Sequence, residues 1–362
     1  MKVLIVFNHP APYKVRLFNA LSKDIELDVI FERKKAKDRP KDFYTENEYK
    51  FNAMFLTGLN ISNENTLSFK VKNYIKKHYS EYDLIVMNGY STFSEMIAID
   101  YLRKKHIPFA LYINGGVIKK DGKLRGKLKR KYISSANYYF SPSLEANKYL
   151  IHYGAKEENI YLYSYSTITE ADVLKEPLSK EEKQKYRDKY QLPDGQLFVS
   201  ASQFIERKNI MFLLECFKDL DKKLVLIGNG PQKELYEKYI EDNHMDNVSM
   251  REFMKREDLL DLFNGCDYFI TLSKEDIYGH TINEAMAKGL PVISSENVVA
   301  AHKLIQNNKN GFIVSLSEKE SIINCINNIE NLSQEESLKV ARENTLEVMA
   351  KDHIKIFKEL VK

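Results

Sequence analysis

Cysteine is scarce in this chain of 362 residues, and its distribution excludes two classes of small stabilised fold. The three cysteines, Cys216, Cys266 and Cys325, are odd in number and widely spaced. A disulfide framework or a zinc site needs close pairs of cysteines. The sequence therefore predicts three reduced thiols and fits a protein of the reducing cytoplasm.

Long apolar runs are missing as well. No stretch of about 18 apolar residues occurs, so no segment is predicted to cross a bilayer. The N-terminal run Met1–Phe7 holds one lysine and soon meets Asn8-His9-Pro10, which predicts a first β-strand and not a signal peptide. Short internal repeats and low-complexity tracts are also lacking, and the 43% hydrophobic content suffices for ordinary globular cores.

Charge is abundant but unevenly distributed. The net charge is +4, yet residues 1–170 hold 28 Lys and Arg against 18 Asp and Glu, a net charge of +10, and the remainder holds 27 against 33, a net charge of −6. This asymmetry indicates that the two halves meet different partners. The basic half suits an anionic membrane or a phosphorylated acceptor. The alternative is a lysine-rich, solvated surface without such a partner.

Short apolar runs alternate with helical patterns along the chain, and the alternation occurs twice. Runs of four to six residues rich in Val, Ile, Leu and Phe are typical of buried parallel strands, so the pattern predicts an α/β fold with parallel sheets. The predicted strands are Val3–Phe7, Leu27–Phe31, Leu84–Met87, Phe109–Ile113, Tyr138–Phe140 and Ile160–Tyr163 in the first half, and Leu197–Ala201, Leu224–Ile227, Val248–Met250, Tyr268–Thr271, Val292–Ser294 and Phe312–Val314 in the second.

A break in this alternation near residues 164–194 predicts a linker at about 165–170. We therefore expect two Rossmann-like domains, residues 1–166 and residues 167–344, whose parallel sheets face across a cleft. The amphipathic helix at about 345–362 is expected to return to the first domain.

The most informative segment runs from Ser273 to Ser295. A predicted strand ends at its start, a loop with Asp276 and Gly279 follows, and a helix is expected to begin with Thr281 as its N-cap. Free N–H groups at a helix start bind anions, and glycine lets a phosphate approach the backbone closely. Glu284 lies one turn inside this helix, where its carboxylate can accept hydrogen bonds from two sugar hydroxyls. Ligands of such sheets bind outside the carboxyl ends of the strands.

This segment resembles the signature of the family-4 glycosyltransferases of the GT-B fold, in which two acidic residues are separated by seven others. The matching residues are Asp276, Tyr278, Gly279, Glu284, Ala285, Met286, Ala287, Gly289, Pro291 and Val292. The resemblance implies that the first acid orients the donor sugar and that Glu284 binds the nucleotide ribose. The first acid of the family is usually glutamate, and here the shorter Asp276 takes its place.

A second match lies upstream, after the predicted strand 197–201. The family usually has Gly-Arg-Leu-x-x-x-Lys-Gly here, and Lys208 aligns with the lysine whereas Gln203 replaces the arginine. The resemblance implies that Lys208 binds the diphosphate, with Arg207 compensating for the lost arginine. A departing nucleoside diphosphate develops negative charge that fixed cations stabilise. The alternative is a surface Arg-Lys pair at the start of a helix.

The turn Gly228-Asn229-Gly230 after the next strand resembles a family loop that lies near the nucleotide, although any strand-to-helix turn can require glycine. The resemblance thus implies a catalytic set of Asp276, Lys208 and Glu284. It also implies a donor-binding set of Gln203, Arg207, Lys208, Gly228, Gly230, Asp276, Tyr278, Gly279, His280, Thr281 and Glu284.

The first half supplies candidates for the acceptor side. His9 and Tyr13 follow the first strand, and Asn114 and Gly115 follow a later one, so all four are expected at the carboxyl edge of the first sheet. A lone histidine is more often structural, which remains the alternative for His9. Many family members have a Gly-Gly loop after the first strand, and this chain does not.

The stretch Lys119–Lys131 is rich in lysine and arginine, and Leu124, Leu128 and Tyr132 recur at intervals of four residues. This pattern predicts a basic amphipathic helix compatible with an anionic membrane surface. An ordinary solvated helix face is the alternative. No recognised nucleic-acid-binding module accompanies the charge, so nucleic acid is not expected as a partner.

We expect neither a cofactor nor a catalytic metal. The pair Asp219 and Asp221 has the spacing of a metal-binding motif of another glycosyltransferase fold, but it precedes a predicted strand and so lies at the wrong edge of the sheet.

Together these features predict a cytoplasmic glycosyltransferase, peripheral to the membrane if the basic helix binds lipid. The resemblance implies that it moves a sugar, with retention of anomeric configuration, from a nucleoside diphosphate, UDP favoured, to a hydroxyl of a glycan or lipid-linked acceptor. Two alternatives are a catalytically inactive GT-B partner subunit that binds glycan or stabilises an active transferase, and a UDP-sugar 2-epimerase of the same fold.

Overall fold

The computed structural model describes residues 1–35, 48–61, 65–118 and 120–361. The chain divides into two compact units. The first unit comprises Met1–Tyr165 and Leu346–Lys362, and the second comprises Ser166–Thr345. These boundaries lie beside those expected from the sequence, and the last helix belongs to the first unit.

The first unit is built on a seven-stranded parallel sheet with the order β3-β2-β1-β6-β7-β8-β9. A separate antiparallel hairpin, in which β4 and β5 contribute two residues each, lies outside this sheet. The strands are β1 (Lys2–Phe7), β2 (Glu26–Phe31), β3 (Asn52–Phe55), β4 (Leu59–Asn60), β5 (Thr66–Leu67), β6 (Leu84–Met87), β7 (Ala110–Tyr112), β8 (Tyr138–Ser141) and β9 (Ile160–Leu162).

Helices connect these strands and cover the sheet. They are α1 (Pro12–Leu21), α2 (Lys70–His78), α3 (Phe93–Lys104), α4 (Lys123–Ile133), α5 (Leu144–His152) and the last helix of the chain, α14 (Leu346–Leu360). Helix α14 packs against α1. Its His353 is 2% exposed and stacks on Phe140 of β8, with 5.5 Å between the ring centroids. The helix therefore completes the apolar core of the first unit.

The second unit contains a six-stranded parallel sheet with the order β12-β11-β10-β13-β14-β15. Its strands are β10 (Leu197–Ala201), β11 (Lys223–Ile227), β12 (Val248–Arg251), β13 (Tyr268–Thr271), β14 (Val292–Ser295) and β15 (Gly311–Val314). Its helices are α6 (Lys180–Tyr190), α7 (Ile210–Phe217), α8 (Lys233–Asp242), α9 (Arg256–Phe263), α10 (His280–Met286), α11 (Ala301–Leu304), α12 (Lys319–Asn328) and α13 (Gln334–Arg342).

Both sheets confirm the predicted fold class, two Rossmann-like α/β domains with parallel strands. In each sheet the strand order reverses beside the first strand, between β1 and β6 in the first unit and between β10 and β13 in the second. Loops that leave the carboxyl ends of strands at such a switch point diverge and form a crevice for ligands. The topology therefore places His9 and its neighbours beside the switch point of one unit, and the segments after residues 201 and 271 at that of the other.

The three cysteines are free thiols. Burial raises the pKa of Cys216 to about 11, so this thiol is protonated at neutral pH. Within the described ranges, no helix has the length and apolar character needed to pass through a membrane.

Candidate functional site

Two loops meet at the switch point of the second unit. One loop follows β10 and ends at Asn209, and the other follows β13. The Asn209 side-chain amide donates to the carbonyl of Leu272, at 3.0 Å. The backbone N–H of Lys274 donates to the carbonyl of Arg207, at 2.8 Å. These bonds fix the two loops to each other, so the residues singled out in each motif lie side by side.

Lys208 and Asp276 form an ion pair and a hydrogen bond across this junction. Their side chains are only 13% and 18% exposed, respectively. The other carboxylate oxygen of Asp276 accepts from the backbone N–H of Tyr278 at 3.3 Å, and the Asp276 N–H donates to the carbonyl of Asn297 at 3.1 Å. The aspartate is thus held on both sides, and it holds the lysine at the mouth of the crevice.

Arg207 and Gln203 occupy the same loop but are exposed. The Arg207 guanidinium donates through Nη1 to the carbonyl of Glu275, at 3.2 Å. The structure therefore brings Arg207 and Lys208 to the Asp276 loop, with Lys208 partly shielded and Arg207 on the solvent side.

The two glycines of the next loop are required by the packing of the protein itself. A Cβ atom on Gly228 would lie 1.9 Å from the carbonyl oxygen of Ser202, and one on Gly230 would lie 2.5 Å from that of Phe204. The Phe204 N–H also donates to the carbonyl of Asn229, at 2.9 Å. The Gly-x-Gly turn therefore docks on the loop that carries Gln203 and supports its position.

The helix that carries Glu284 starts at a different residue from the one predicted. Gly279, with φ of +96°, is the N-cap of α10, so Thr281 lies inside the first turn and makes no capping hydrogen bond. The expectation that Thr281 is the N-cap was wrong, because only Gly279 tolerates both this left-handed backbone and the close approach of Val298. A Cβ on Gly279 would lie 2.4 Å from a methyl carbon of that valine.

The aromatic residues of this loop are packed together. Tyr278 is 4% exposed, and its ring centroid lies 4.8 Å from that of His280. Burial raises the pKa of the Tyr278 hydroxyl above its ordinary range. The Tyr278 carbonyl accepts from the Ala300 N–H at 2.7 Å. Tyr278 thus anchors the loop between Asp276 and α10.

Glu284 lies on the buried side of α10. Its Oε1 atom accepts from the Thr167 hydroxyl at 3.1 Å and lies 3.7 Å from the Nε of Arg256. Burial raises the pKa of this carboxyl group, although Arg256 and Thr167 both favour its charged form. Its Oε2 makes no hydrogen bond with the residues that the structure describes. Among the described residues, the protein thus binds one carboxylate oxygen of Glu284 and not the other.

Sequence reasoning missed the residues that hold Glu284. Arg256 opens α9 and donates to the Asp172 carboxylate at 2.8 Å and to the Thr167 carbonyl at 3.1 Å. Burial opposes the ionisation of Asp172, but the hydrogen bonds from Arg256 and Thr169 and the charge of Arg256 together outweigh it, and the pKa of Asp172 is lowered. Lys288 donates to the Asp172 carbonyl at 2.5 Å. Thr167 falls in the segment interpreted as a linker and Asp172 lies just beyond it. The one available signal was Arg256 at a helix start after β12.

In the first unit, the structure places the predicted acceptor-side residues at the carboxyl edge of its sheet. Asn114 follows β7, and its amide donates to the side-chain oxygen of Asn88 after β6, at 3.4 Å. The Asn114 side-chain oxygen is buried and has no hydrogen-bond partner in the described part of the chain. Gly115 follows with φ of +136°. His9 lies in the loop after β1, and Tyr13 in the first turn of α1.

Two further polar residues of this edge escaped the sequence reasoning. The Arg33 side chain donates through Nε to the side-chain oxygen of Asn8, at 2.5 Å. The backbone N–H of Arg33 donates to the Asn8 carbonyl as well, at 3.1 Å. Arg33 therefore brings a guanidinium to the loop that carries His9.

The predicted basic helix is α4, which begins at Lys123, and Lys119 lies outside the described residues. Its cations are of two kinds. Lys129 and Lys131 are bound to Asp121 at 3.0 Å and Asp100 at 2.7 Å, whereas Lys123 and Lys127 are exposed. The three apolar residues spaced by four along this helix also differ in exposure. Leu124 is 74% exposed and Leu128 is 39% exposed, whereas Tyr132 is buried.

No group of three or more histidine, cysteine, aspartate or glutamate side chains suited to a metal ion occurs in the described ranges. Asp219 and Asp221 precede β11, at the amino edge of the sheet.

Comparison with known proteins points to glycosyltransferases. Residues 182–348 match the family described as Glycosyl transferases group 1. A probable sucrose-phosphate synthase of Thermosipho melanesiensis is 27% identical over 283 residues, 70% of this chain and 65% of that protein. Alpha-monoglucosyldiacylglycerol synthase of Acholeplasma laidlawii is 22% identical over 204 residues, 54% of this chain and 50% of that protein. The chain thus matches less than two thirds of the length of either relative.

The fold similarity extends over the whole chain. The structure of HepE from Anabaena in complex with UDP aligns with a TM-score of 0.77 and 16% identity, covering 99% of this chain and 100% of that one. The family match thus lies in the second unit, and the full-length structural likeness supports the GT-B fold predicted for the chain.

Proposed function

We propose that the chain transfers a sugar, with retention of configuration, from a UDP-sugar to a hydroxyl group of a glycan or lipid-linked acceptor. The observation that carries the proposal is the Lys208–Asp276 pair at the switch point of the second unit. It places a cation and a carboxylate together where the strand order of the sheet reverses, which is where such sheets bind nucleotides.

Each residue of this site has a part in handling the donor. Lys208 supplies positive charge to the departing diphosphate, with Arg207 on the solvent side of the same loop. Fixed cations of this kind stabilise charge that develops in the transition state. Glu284 accepts from a ribose hydroxyl through Oε2, and Asp276 orients the donor sugar. No enzymic nucleophile is required if the leaving phosphate assists deprotonation of the acceptor on the same face.

The relatives support the choice of donor and acceptor. HepE was crystallised with UDP, which favours UDP over other nucleotides for a chain of the same fold. The name of the Acholeplasma laidlawii relative describes a glucosyl lipid product, which favours a lipid-linked acceptor. The free thiols and the exposed leucines and lysines of α4 suit an enzyme that works at the cytoplasmic face of an anionic membrane.

A ligand screen followed by a product assay tests the proposal. The unfolding temperature is measured with UDP, GDP and ADP, because a nucleotide that binds the native state raises it. UDP-glucose, UDP-galactose and UDP-N-acetylglucosamine are then incubated with membrane lipid extract, and the anomeric configuration of the product is read by NMR. A retained glycosidic linkage supports the proposal. Release of a free 2-epimerised sugar would indicate the epimerase instead, and nucleotide binding without turnover would indicate an inactive partner subunit.

A further inference from the structure

A polar cavity lies in the first unit, at the edge of the sheet opposite to His9 and Asn114. Its volume is about 650 Å³, and its lining includes Arg103, His106, Lys127, Arg130 and Lys131. Cavities of roughly 300–1,000 Å³ are typical of small-molecule sites. Neither the glycosyltransferase motifs nor the proposed reaction accounts for it.

The topology explains why these cations converge. Helix α3 ends at Lys104 just before β7, and α4 ends at Ile133 just before β8. Strands β7 and β8 are neighbours in the sheet, so the two helix ends meet at its amino edge. The Asn137 side chain joins them to the sheet by accepting from the Phe109 N–H, at 3.2 Å. The cavity lies between these two helix ends.

Its charge is only partly compensated. Asp100 lies 2.7 Å from the Lys131 ammonium and 3.5 Å from the Arg103 guanidinium. Lys127 and Arg130 have no carboxylate within 4.0 Å among the described residues. Cations near a helix C-terminus are favoured by the helix dipole, which accounts for part of this clustering. It does not account for cations from two helices that face one shared cavity.

His106 adds a further hydrogen-bonding group under conformational strain. It has φ of +53°, in the left-handed region where glycine is the usual residue at the end of a helix. Its N–H donates to the Arg103 carbonyl at 3.2 Å, which closes the end of α3. Glycine at this position would make the same turn without strain, so the imidazole in the cavity is retained at a cost to stability.

We propose that this cavity binds a phosphate group borne by a small molecule or by a lipid. Guanidinium and ammonium groups form short, charge-assisted hydrogen bonds to phosphate oxygens, and two arginines among the cations favour planar, bidentate contacts. The proposal concerns the first unit alone and does not depend on the donor site. It adds an anion-binding site at the amino edge of the first sheet, in the unit that does not carry the donor site.

Calorimetry with soluble phosphates is the first test. Inorganic phosphate and glycerol 3-phosphate, which lack the diphosphate proposed to bind Lys208, are titrated at low salt into the wild type and into K127A/R130A. The matched control is K76A/K77A, which removes the same charge from two exposed lysines of α2. We expect K127A/R130A to weaken binding by about tenfold for each cation lost, whereas the control binds like the wild type. D100N frees Lys131 and Arg103 and is expected to tighten binding several-fold.

Vesicles identify the source of the phosphate. Co-sedimentation is measured with phosphatidic acid in phosphatidylcholine vesicles and with phosphatidylcholine alone. If the soluble probes bind, the ligand is assigned as a free phosphate ester. If only phosphatidic acid vesicles bind, the ligand is assigned as a lipid head group. In either case K127A/R130A must reduce the binding and K76A/K77A must not. Equal losses in both double variants, or no binding of any phosphate probe by the wild type, overturn the proposal. H106G is expected to raise the unfolding temperature while weakening binding, which separates a ligand role from a structural one.

Discussion

Lys208 and Asp276 lie 68 positions apart in the chain and form an ion pair at the point where the strand order of the second sheet reverses. Each residue belongs to a different motif, and each charge neutralises the other. A diphosphate that binds Lys208 must therefore compete with Asp276 for the ammonium group. This competition makes the effects of changing the two residues opposite in sign for nucleotide binding.

K208A is expected to lower kcat/KM for transfer by roughly a hundred- to a thousandfold, the usual effect of removing one group that stabilises developing charge. The measurement is turnover of the UDP-sugar identified in the screen. K274A serves as the control, because Lys274 is 52% exposed and pairs only at 3.4 Å with Glu206. Unchanged turnover in K208A would remove Lys208 from the reaction.

D276N is expected to bind UDP more tightly than the wild type, by about three- to tenfold, because it releases Lys208 from a partly buried pair. The same change should lower transfer, since the carboxylate no longer orients the sugar. Calorimetry with UDP and a turnover assay separate the two effects. E206Q, in the loop that carries Lys208 but 81% exposed, should change neither. Weaker UDP binding in D276N would contradict the competition.

E284Q is expected to weaken UDP binding by about ten- to a hundredfold, because a neutral amide accepts more weakly from a ribose hydroxyl than a carboxylate does. The same variant should unfold at a higher temperature at neutral pH. Burial raises the pKa of Glu284, so the folded state binds more protons than the unfolded state between the ordinary pKa and the raised one, and stability falls as pH rises through that window. The amide removes this loss. If E284Q and the wild type unfold at the same temperature throughout that pH range, the pKa of Glu284 is not raised in the folded protein.

A buried carboxyl pair in the first unit predicts a second pH effect on stability. Glu95 is fully buried in the first turn of α3, and burial together with the nearby charge of Glu32 raises its pKa well above its ordinary range. Stability is therefore expected to decline as pH rises above the ordinary carboxyl range, where the unfolded state releases its proton first. The free energy of unfolding is measured in denaturant from about pH 5 to about pH 9. It should decline less with pH in E95Q than in the wild type or in the control variant E145Q.

Membrane binding through α4 is tested best with its exposed leucines. L124S/L128S is expected to reduce co-sedimentation with anionic vesicles, because side chains that insert between lipids contribute in proportion to their apolar area. Binding of glycerol 3-phosphate should not change, since these leucines do not line the basic cavity. The variant does not change Lys129 or Lys131, because these lysines form ion pairs with Asp121 and Asp100. Vesicle binding equal to that of the wild type would leave α4 as a solvated face.

The sequence was sufficient to predict the strands that are buried on both sides, because runs of Val, Ile, Leu and Phe mark them directly. It missed β3, whose residues are only partly buried at the edge of the sheet. Charge was also misleading in α1, where Lys14 is fully buried, donates to the Tyr112 hydroxyl at 3.0 Å and has a pKa well below its ordinary value because of burial. A lysine in an amphipathic helix carries no local sign of such surroundings.

The candidate site was predictable to a different degree in its two parts. Lys208, Asp276 and Glu284 belong to motifs whose spacing can be recognised, and the topology brings the first two together. Arg256, Thr167 and Asp172 have no such spacing, because they reach Glu284 from segments distant in sequence. Contacts of that kind follow from tertiary packing, which a single sequence does not reveal.

The return of α14 to the first unit has a consequence for biosynthesis. Residues 166–345 form a contiguous unit, so all of its strands leave the ribosome before translation ends. The first unit, although its sheet is made earlier, lacks the helix that covers α1 until Leu346–Leu360 emerge. Phe357 and His353 are among the side chains of this helix that complete the core. The half synthesised first is therefore the half that reaches its native core last, and its uncovered apolar face is the surface that nascent-chain chaperones would meet.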